Sequence, residues 1–178
     1  MAFLRGLAKL IGGLLFVLIL ALGALIVGAR WHDGPVGLIA GGPLAAGDLA
    51  IGAEPDWNFT HDIPTVELQL LNPARSRTTW ILEIDGHIYI ASGYMNSMVG
   101  KLWKHWPYEA EKDGRAMLRI DGKRYERSLV RINSAPENAA LIEKLLQEVN
   151  RKYHVRATPA NVADGGMWLF ELTPRVGT

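Results

Sequence analysis

The stretch Thr78-Thr79-Trp80-Ile81-Leu82-Glu83-Ile84-Asp85-Gly86-His87-Ile88-Tyr89-Ile90-Ala91 decides the fold. Thr78, Trp80, Leu82 and Ile84 fall on one face, the period-two pattern of a half-buried strand. β-Branched and aromatic residues dominate both arms and suit a pleated surface. Between the arms stands Asp85-Gly86. A two-residue type I′ turn needs positive φ at both positions, which Asp and Gly accept. The stretch therefore reads as a β-hairpin, with strands over 78–84 and 87–91.

The device recurs downstream. Ala116 to Ile120 reads as a strand, Asp121-Gly122 as its turn, and Lys123 to Ile132 as a longer strand. The alternation of this last run is imperfect, which predicts a bulge or a change of buried face. Upstream, Val66, Leu68 and Leu70 alternate with Glu67 and Gln69 and predict a strand that ends at the turn Asn72-Pro73. Between the hairpins, Met98 to Lys112 predicts one or two helical turns broken near Pro107. Ser134 opens a helix, with capping-box spacing to Glu137 and Pro136 in the first turn. Leu141, Ile142, Leu145, Leu146 and Val149 form its apolar stripe. Asp164-Gly165-Gly166 then turns into a last strand, Met167 to Leu172. The order predicts a mainly β (α+β) domain: a small six-stranded antiparallel barrel with one or two packed helices.

Leu10 to Ala29 runs twenty residues without a charge or a strongly polar side chain. That is the length of a membrane-spanning helix. Arg5, Lys9 and the amino terminus precede it, and Arg30 follows with Asp33 close by. Positive charge favours the cytoplasmic side, so the amino terminus is expected inside and the rest outside, in the periplasm if the membrane is an inner one. Two other readings pass the same test. Val27-Gly28-Ala29 has the small-residue spacing of a signal-peptidase site, and an all-round apolar helix can also be a core helix. The expected organisation is an anchor over 1–30, a Gly/Pro-rich linker over 31–55 and the barrel over 56–178.

Composition narrows the function classes. Nineteen basic and eighteen acidic residues give a net charge of +1, without the clustered basic face that nucleic-acid binding requires. The absence of cysteine excludes disulfides, thiolate metal sites and thiol nucleophiles. Six Trp, five Tyr and four Phe supply core material instead.

The segments Arg77 to Gly86, Ile88 to Gly93, Lys101-Leu102-Trp103 and Gly114 to Tyr125, in that order, resemble the split β-barrel family of pyridoxamine-phosphate-oxidase-like flavoproteins and deazaflavin-dependent nitroreductases. The resemblance covers about Asp56 to Val155 and rests on element order and a few residues. It implies an FMN or deazaflavin cofactor, with haem as a rarer ligand of the superfamily. Carried over onto this sequence, the candidate cofactor-binding residues are Arg77, Thr78, Thr79, Ser92 and Lys101 for the phosphate, with Trp103 flanking the ring. A forked Arg, a point-charge Lys and hydroxyl donors are the groups a phosphate needs. It also implies a possible homodimer.

Other chemistry has weaker support. None of His32, His61, His87, His105 and His154 has a spacing that puts two ligands on one helical face, so no metal site is expected. His105, between two Trp, is a candidate axial haem ligand. Arg119, Lys123, Arg124, Arg127 and Arg131 form a basic hairpin, either a solvated face or one that meets anionic lipid. No G-x-S-x-G, P-loop or H-E-x-x-H occurs. Two functional readings follow. One is a membrane-anchored oxidoreductase using a flavin-type cofactor on a small organic substrate or quinone. The other is a non-enzymatic, membrane-tethered binding or accessory subunit of a membrane complex.

Overall fold

The computed structural model describes residues 2–175, apart from the side chains of Ala2, Val99, Leu102 and Trp103. The chain begins with helix α1 (Ala2–Ala29), whose large apolar side chains are exposed along its length. Phe3–Ala29 is long and apolar enough to cross a membrane.

The domain is an antiparallel curled sheet with helices on it. Its strands are β1 (Asp48–Leu49), β2 (Thr65–Leu71), β3 (Ala74–Trp80), β4 (Leu82–Ile84), β5 (His87–Ser92), β6 (Arg115–Ile120), β7 (Lys123–Ile132) and β8 (Trp168–Pro174). The hydrogen-bonded order is β3-β2-β6-β7-β8-β5-β4, and β1 adds in parallel to the start of β7. Among the described residues there are thus eight strands rather than the expected six. One addition is the short β1. The other arises because the predicted strand over 78–84 is two strands, broken at Ile81. β3 and β4 lie at opposite ends of the sheet order yet are joined by this one residue. The sheet must therefore curl until its two ends meet.

Ile81 is fully buried, and its backbone groups are satisfied without a strand partner. The Tyr153 hydroxyl accepts from Ile81 N–H at 2.9 Å and lies 2.7 Å from Ile81 C=O, to which Lys152 Nζ also donates at 3.0 Å. Buried backbone polar groups require such partners. Trp80 stacks on Tyr153, with ring centroids 4.3 Å apart. Burial pushes the Tyr153 hydroxyl pKa up to about 12, its hydrogen bond to Ile81 opposing and the charge of Glu148 assisting.

Both Asp-Gly turns form as the sequence predicts, with φ of 53° and 81° at Asp85-Gly86 and 47° and 77° at Asp121-Gly122. Period-two alternation then sorts the core onto two faces. Leu68, Leu70, Ile88, Ile90, Leu118 and Phe170 fill the barrel interior. Leu82, Tyr89, Ile132 and Leu169 point outward and are buried by Ile142, Leu145, Leu146 and Val149 of helix α4 (Ala139–Tyr153). This explains the imperfect alternation in β7. Leu129 faces inward and Ile132 outward under α4, and the strand passes from β6 to β8 without a bulge.

Helix α4 begins later than its predicted start at Ser134. Residues Pro136–Asn138 form a 3₁₀ turn, and Asn138 caps α4 without a side-chain bond. Asn133 Oδ1 accepts instead from Ala135 N–H and Asn138 Nδ2, a local bond that competes with helix entry. Between the hairpins lie α2 (Met98–Trp103) and α3 (Trp106–Lys112), and Pro107 sits in the first turn of α3 rather than at the break. A short α5 (Pro159–Ala163) follows α4.

Residues 31–55 run along the sheet. Gly41 bridges Ser76 at the free edge of β3, where a Cβ would lie 1.8 Å from the Gly34 carbonyl oxygen. Leu44 is buried, and its N–H donates to Gln69 Oε1 at 2.7 Å. Asp33 pairs with Arg119 at 2.9 Å.

Candidate functional site

The bend at Ile81 creates the site. Before it the chain pairs with β2, and after it with β5, so the free edge of β3 and the end of β5 part company. In this split lies a cavity of about 490 Å³, within the size range of small-molecule sites. β3 and the end of β5 supply two walls. The joint between α2 and α3, the turn over 37–40 and the last turn of α1 complete it.

The lining is cationic. Arg30, Arg75, Arg77 and Lys104 contribute, and no Asp, Glu or His does. Arg77 stands opposite Leu68, and Arg75 opposite Leu70, so both occupy the barrel-facing side of β3. Arg77 lies 5.4 Å from the Trp106 ring centroid, and its Nε is sealed from water without a hydrogen-bond partner. Burial pushes its pKa down to about 10, opposed by the charge of Glu109 and reinforced by that of Arg75. Among the described residues, Arg30, Arg75 and Arg77 form no hydrogen bond or ion pair through their side chains. Lys104 donates from Nζ to the Gly93 carbonyl at 2.8 Å, which leaves two of its three donors. Its burial lowers its pKa.

Hydroxyls and ring faces accompany the cations. Ser92 is buried at the end of β5, its Oγ 3.4 Å from Met95 Sδ. Thr79 is half-buried, and Thr78 is exposed, its Oγ1 directed to the Gly37 carbonyl at 3.4 Å. Trp80, Tyr94 and Trp106 line the same space.

Four of the six residues singled out from sequence thus share this cavity: Arg77, Thr78, Thr79 and Ser92. Lys101 does not; it is exposed on α2, outside the lining. The side chain of Trp103 lies outside the described residues. From this helical segment, Lys104 and Trp106 line the cavity, each three positions beyond the residue singled out from sequence. The break between α2 and α3 decides which side chains turn inward, and no local pattern gave its position. The sequence does carry a signal for Arg75: Arg75, Arg77 and Thr79 alternate at strand period.

The remaining candidates are placed elsewhere. His105 is exposed and does not line the cavity. His61 meets Glu83 at 3.1 Å, and His87 meets Glu171 at 2.9 Å. Among the described residues, no group of three His, Cys, Asp or Glu is placed to hold a metal ion. The basic hairpin is largely neutralised from within. Arg119 binds Glu67 and Asp33, Arg127 binds Glu54, Arg131 binds Glu111, and Arg124 donates to the carbonyls of Leu44 and Gly47.

A phosphate-bearing group fits this donor set: a forked guanidinium, a half-buried ammonium and hydroxyls line one space, and no carboxylate lines it. Ring faces beside them suit a planar heterocycle.

Fold and cavity define an α+β split-barrel chain with a cleft lined by cations at the split and one N-terminal apolar helix. Solved structures similar to it include the following two. One, from Listeria innocua, is a candidate pyridoxamine 5'-phosphate oxidase with 9% sequence identity and a TM-score of 0.43, covering 64% of this chain and 85% of its own. The other is a conserved hypothetical protein of Mycobacterium tuberculosis with 16% identity and a TM-score of 0.46, covering 72% of this chain and 84% of its own. No protein-family model and no curated protein matches the chain.

Proposed function

We propose that this chain is a membrane-anchored split barrel that binds a flavin-type cofactor, FMN or a deazaflavin, and serves redox chemistry on a small organic substrate or quinone. The observation that carries the reading is Arg77, a guanidinium packed on Trp106 in a cavity with three further cations and no carboxylate. Arg77 and Lys104 would hold the phosphate, with Thr79 and Ser92 as hydroxyl partners. Trp106 and Tyr94 offer faces for the ring. The bound group supplies the hydride chemistry. The chain's own part is to bind and orient that group and to exclude water from the end walled by Ser92 and Trp106, both buried. The helix α1 would hold the barrel at the outer face of the membrane, the amino terminus remaining cytoplasmic.

A second reading, a tethered binding or accessory subunit without chemistry of its own, is favoured by one observation. The lining offers only Lys104 and Tyr94 as acid or base and holds no Asp, Glu or His. An absorption spectrum of the full-length protein, purified gently from its native host, separates the two. Flavin gives bands near roughly 370 and 450 nm and deazaflavin one near roughly 420 nm. A colourless protein that also fails to take up added FMN overturns the first reading. Co-purification of a stoichiometric membrane partner would then support the second.

A further inference from the structure

The cavity borders the end of the apolar helix. One side of it is built by Ile26 of α1, by Arg30 just past the end of that helix and by Leu38 and Ile39 of the turn that follows. The apolar run of α1 ends at Ala29, so Arg30 stands where a bilayer's headgroups would begin. Ile26 lies one turn earlier, about 6 Å along the helix axis toward the acyl region.

The turn itself is shaped for a lipid surface. Val36 and Ile39 exchange both backbone hydrogen bonds at 3.0 Å, and Leu38 at the tip is 92% exposed. Trp31, just past the end of the helix, is 79% exposed. Large apolar side chains at the end of a membrane helix sit at the depth that interfacial Trp residues prefer. Arg30 and Arg75 line the same mouth and pair with no carboxylate among the described residues.

We infer that the outer mouth of the cavity seats the phosphate of an acidic phospholipid from the leaflet around the end of α1. Arg30 and Arg75 meet the headgroup, and Leu38 lies beside the acyl chains. Charge complementarity and continuity with the apolar helix both select this occupant. The inference rests on α1 being a membrane helix, which is part of the proposed function, and it is independent of any flavin.

The chain has no cysteine, so single cysteines can be labelled without background. Full-length Leu38→Cys carrying an environment-sensitive fluorophore is reconstituted into nanodiscs of phosphatidylcholine, with or without phosphatidylglycerol. The label should brighten and shift to the blue in the acidic discs, and Arg30→Gln with Arg75→Gln should abolish the difference. Native mass spectrometry should find an acidic phospholipid retained on the wild type and lost from the double variant. A label that reads water in both discs, a response that survives the double substitution, or no retained lipid each overturns the inference. So does inorganic phosphate added to neutral discs, if it reproduces the shift, since a free anion is then the ligand. Leu14→Cys serves as the control, and it should read the acyl region in both discs. If it does not, the anchor fails and the proposed function with it; if only the Leu38 response fails, the lipid seat alone is wrong.

Discussion

Arg77 and Arg127 both lie over tryptophan rings on barrel-facing strand positions, and of these two only Arg127 meets a carboxylate of its own chain. Arg127 sits 5.0 Å from the Trp57 ring centroid, and Glu54 reaches it at 2.8 Å. Arg77 sits 5.4 Å from the Trp106 centroid with no carboxylate in hydrogen-bonding reach. Both have a buried Nε without a partner, so that atom is not what separates them. The separation comes from the connecting segment. Residues before the barrel bring Glu54 to Arg127, whereas those that pass Arg77 bring the turn over 37–40, with no acid in it. A guanidinium drawn out of water without an anion is unfavourable; the chain supplies Glu54 to Arg127 and no acid to Arg77.

The largest effect should come from removing the filled site's anion. Glu54 accepts from Arg127 and from Trp57 Nε1 at 2.8 Å. Glu54→Ala strands a cation that is 4% exposed in its side chain. Loss of the charged bonds should cost about 2–3 kcal/mol, at the low end of buried-pair losses because Glu54 itself is partly exposed. Denaturant unfolding measures it; an unchanged midpoint would mean that Arg127 does not depend on Glu54, and the comparison would collapse.

Arg77→Met should behave in the opposite way. Among the described residues it breaks no hydrogen bond or ion pair, so stability should hold or rise slightly. Affinity for FMN or another phosphate-bearing ligand should fall about 10- to 30-fold, the worth of one or two charge-assisted hydrogen bonds. Fluorescence titration reads the affinity, and unfolding the stability. A variant that unfolds while wild-type binding is absent would make Arg77 a structural residue like Arg127.

The contrast was only partly legible in the sequence. Period two and the Asp-Gly pairs carried both hairpins and the curled sheet, because strand alternation and positive φ are local properties. Arg77, Thr78, Thr79 and Ser92 were legible because they lie on those strands. The break at Ile81 was not. It depends on Tyr153, seventy-two residues away, whose hydroxyl satisfies the bend. Nor did sequence say which arginine would find an acid, since Glu54 reaches Arg127 across seventy-three residues.

The bend is where the cleft begins, so Tyr153→Phe tests whether the cleft depends on it. The variant leaves Ile81 N–H buried without a partner, while Lys152 still serves its carbonyl. A loss of about 1–2 kcal/mol should follow. The Tyr153 pKa is raised to about 12 in the fold, above the usual value of about 10. Its contribution is therefore full below about pH 10 and is lost as pH rises through about 12. In Tyr153→Phe the alkaline fall in stability should be shallower, with Tyr89, also raised to about 12 by burial, and Tyr125, raised by burial as well, still contributing.

The smallest effect discriminates most finely, between two lysines three residues apart. Lys101 is exposed and outside the cavity, and Lys104 lines it. Lys101→Ala should leave phosphate-ligand affinity unchanged. Lys104→Ala should weaken it about 3- to 5-fold, less than Arg77→Met because an ammonium offers a point charge rather than a fork. The pH dependence separates charge from shape. Burial lowers the Lys104 pKa, so the wild type should lose affinity as pH rises at a lower pH than an ordinary lysine would allow. In Lys104→Ala that step should vanish, and in Lys104→Arg it should move upward while binding is kept. Equal affinities for the Lys101 and Lys104 variants at every pH would place the ligand elsewhere, and the open site would then be only a tolerated cluster of charge.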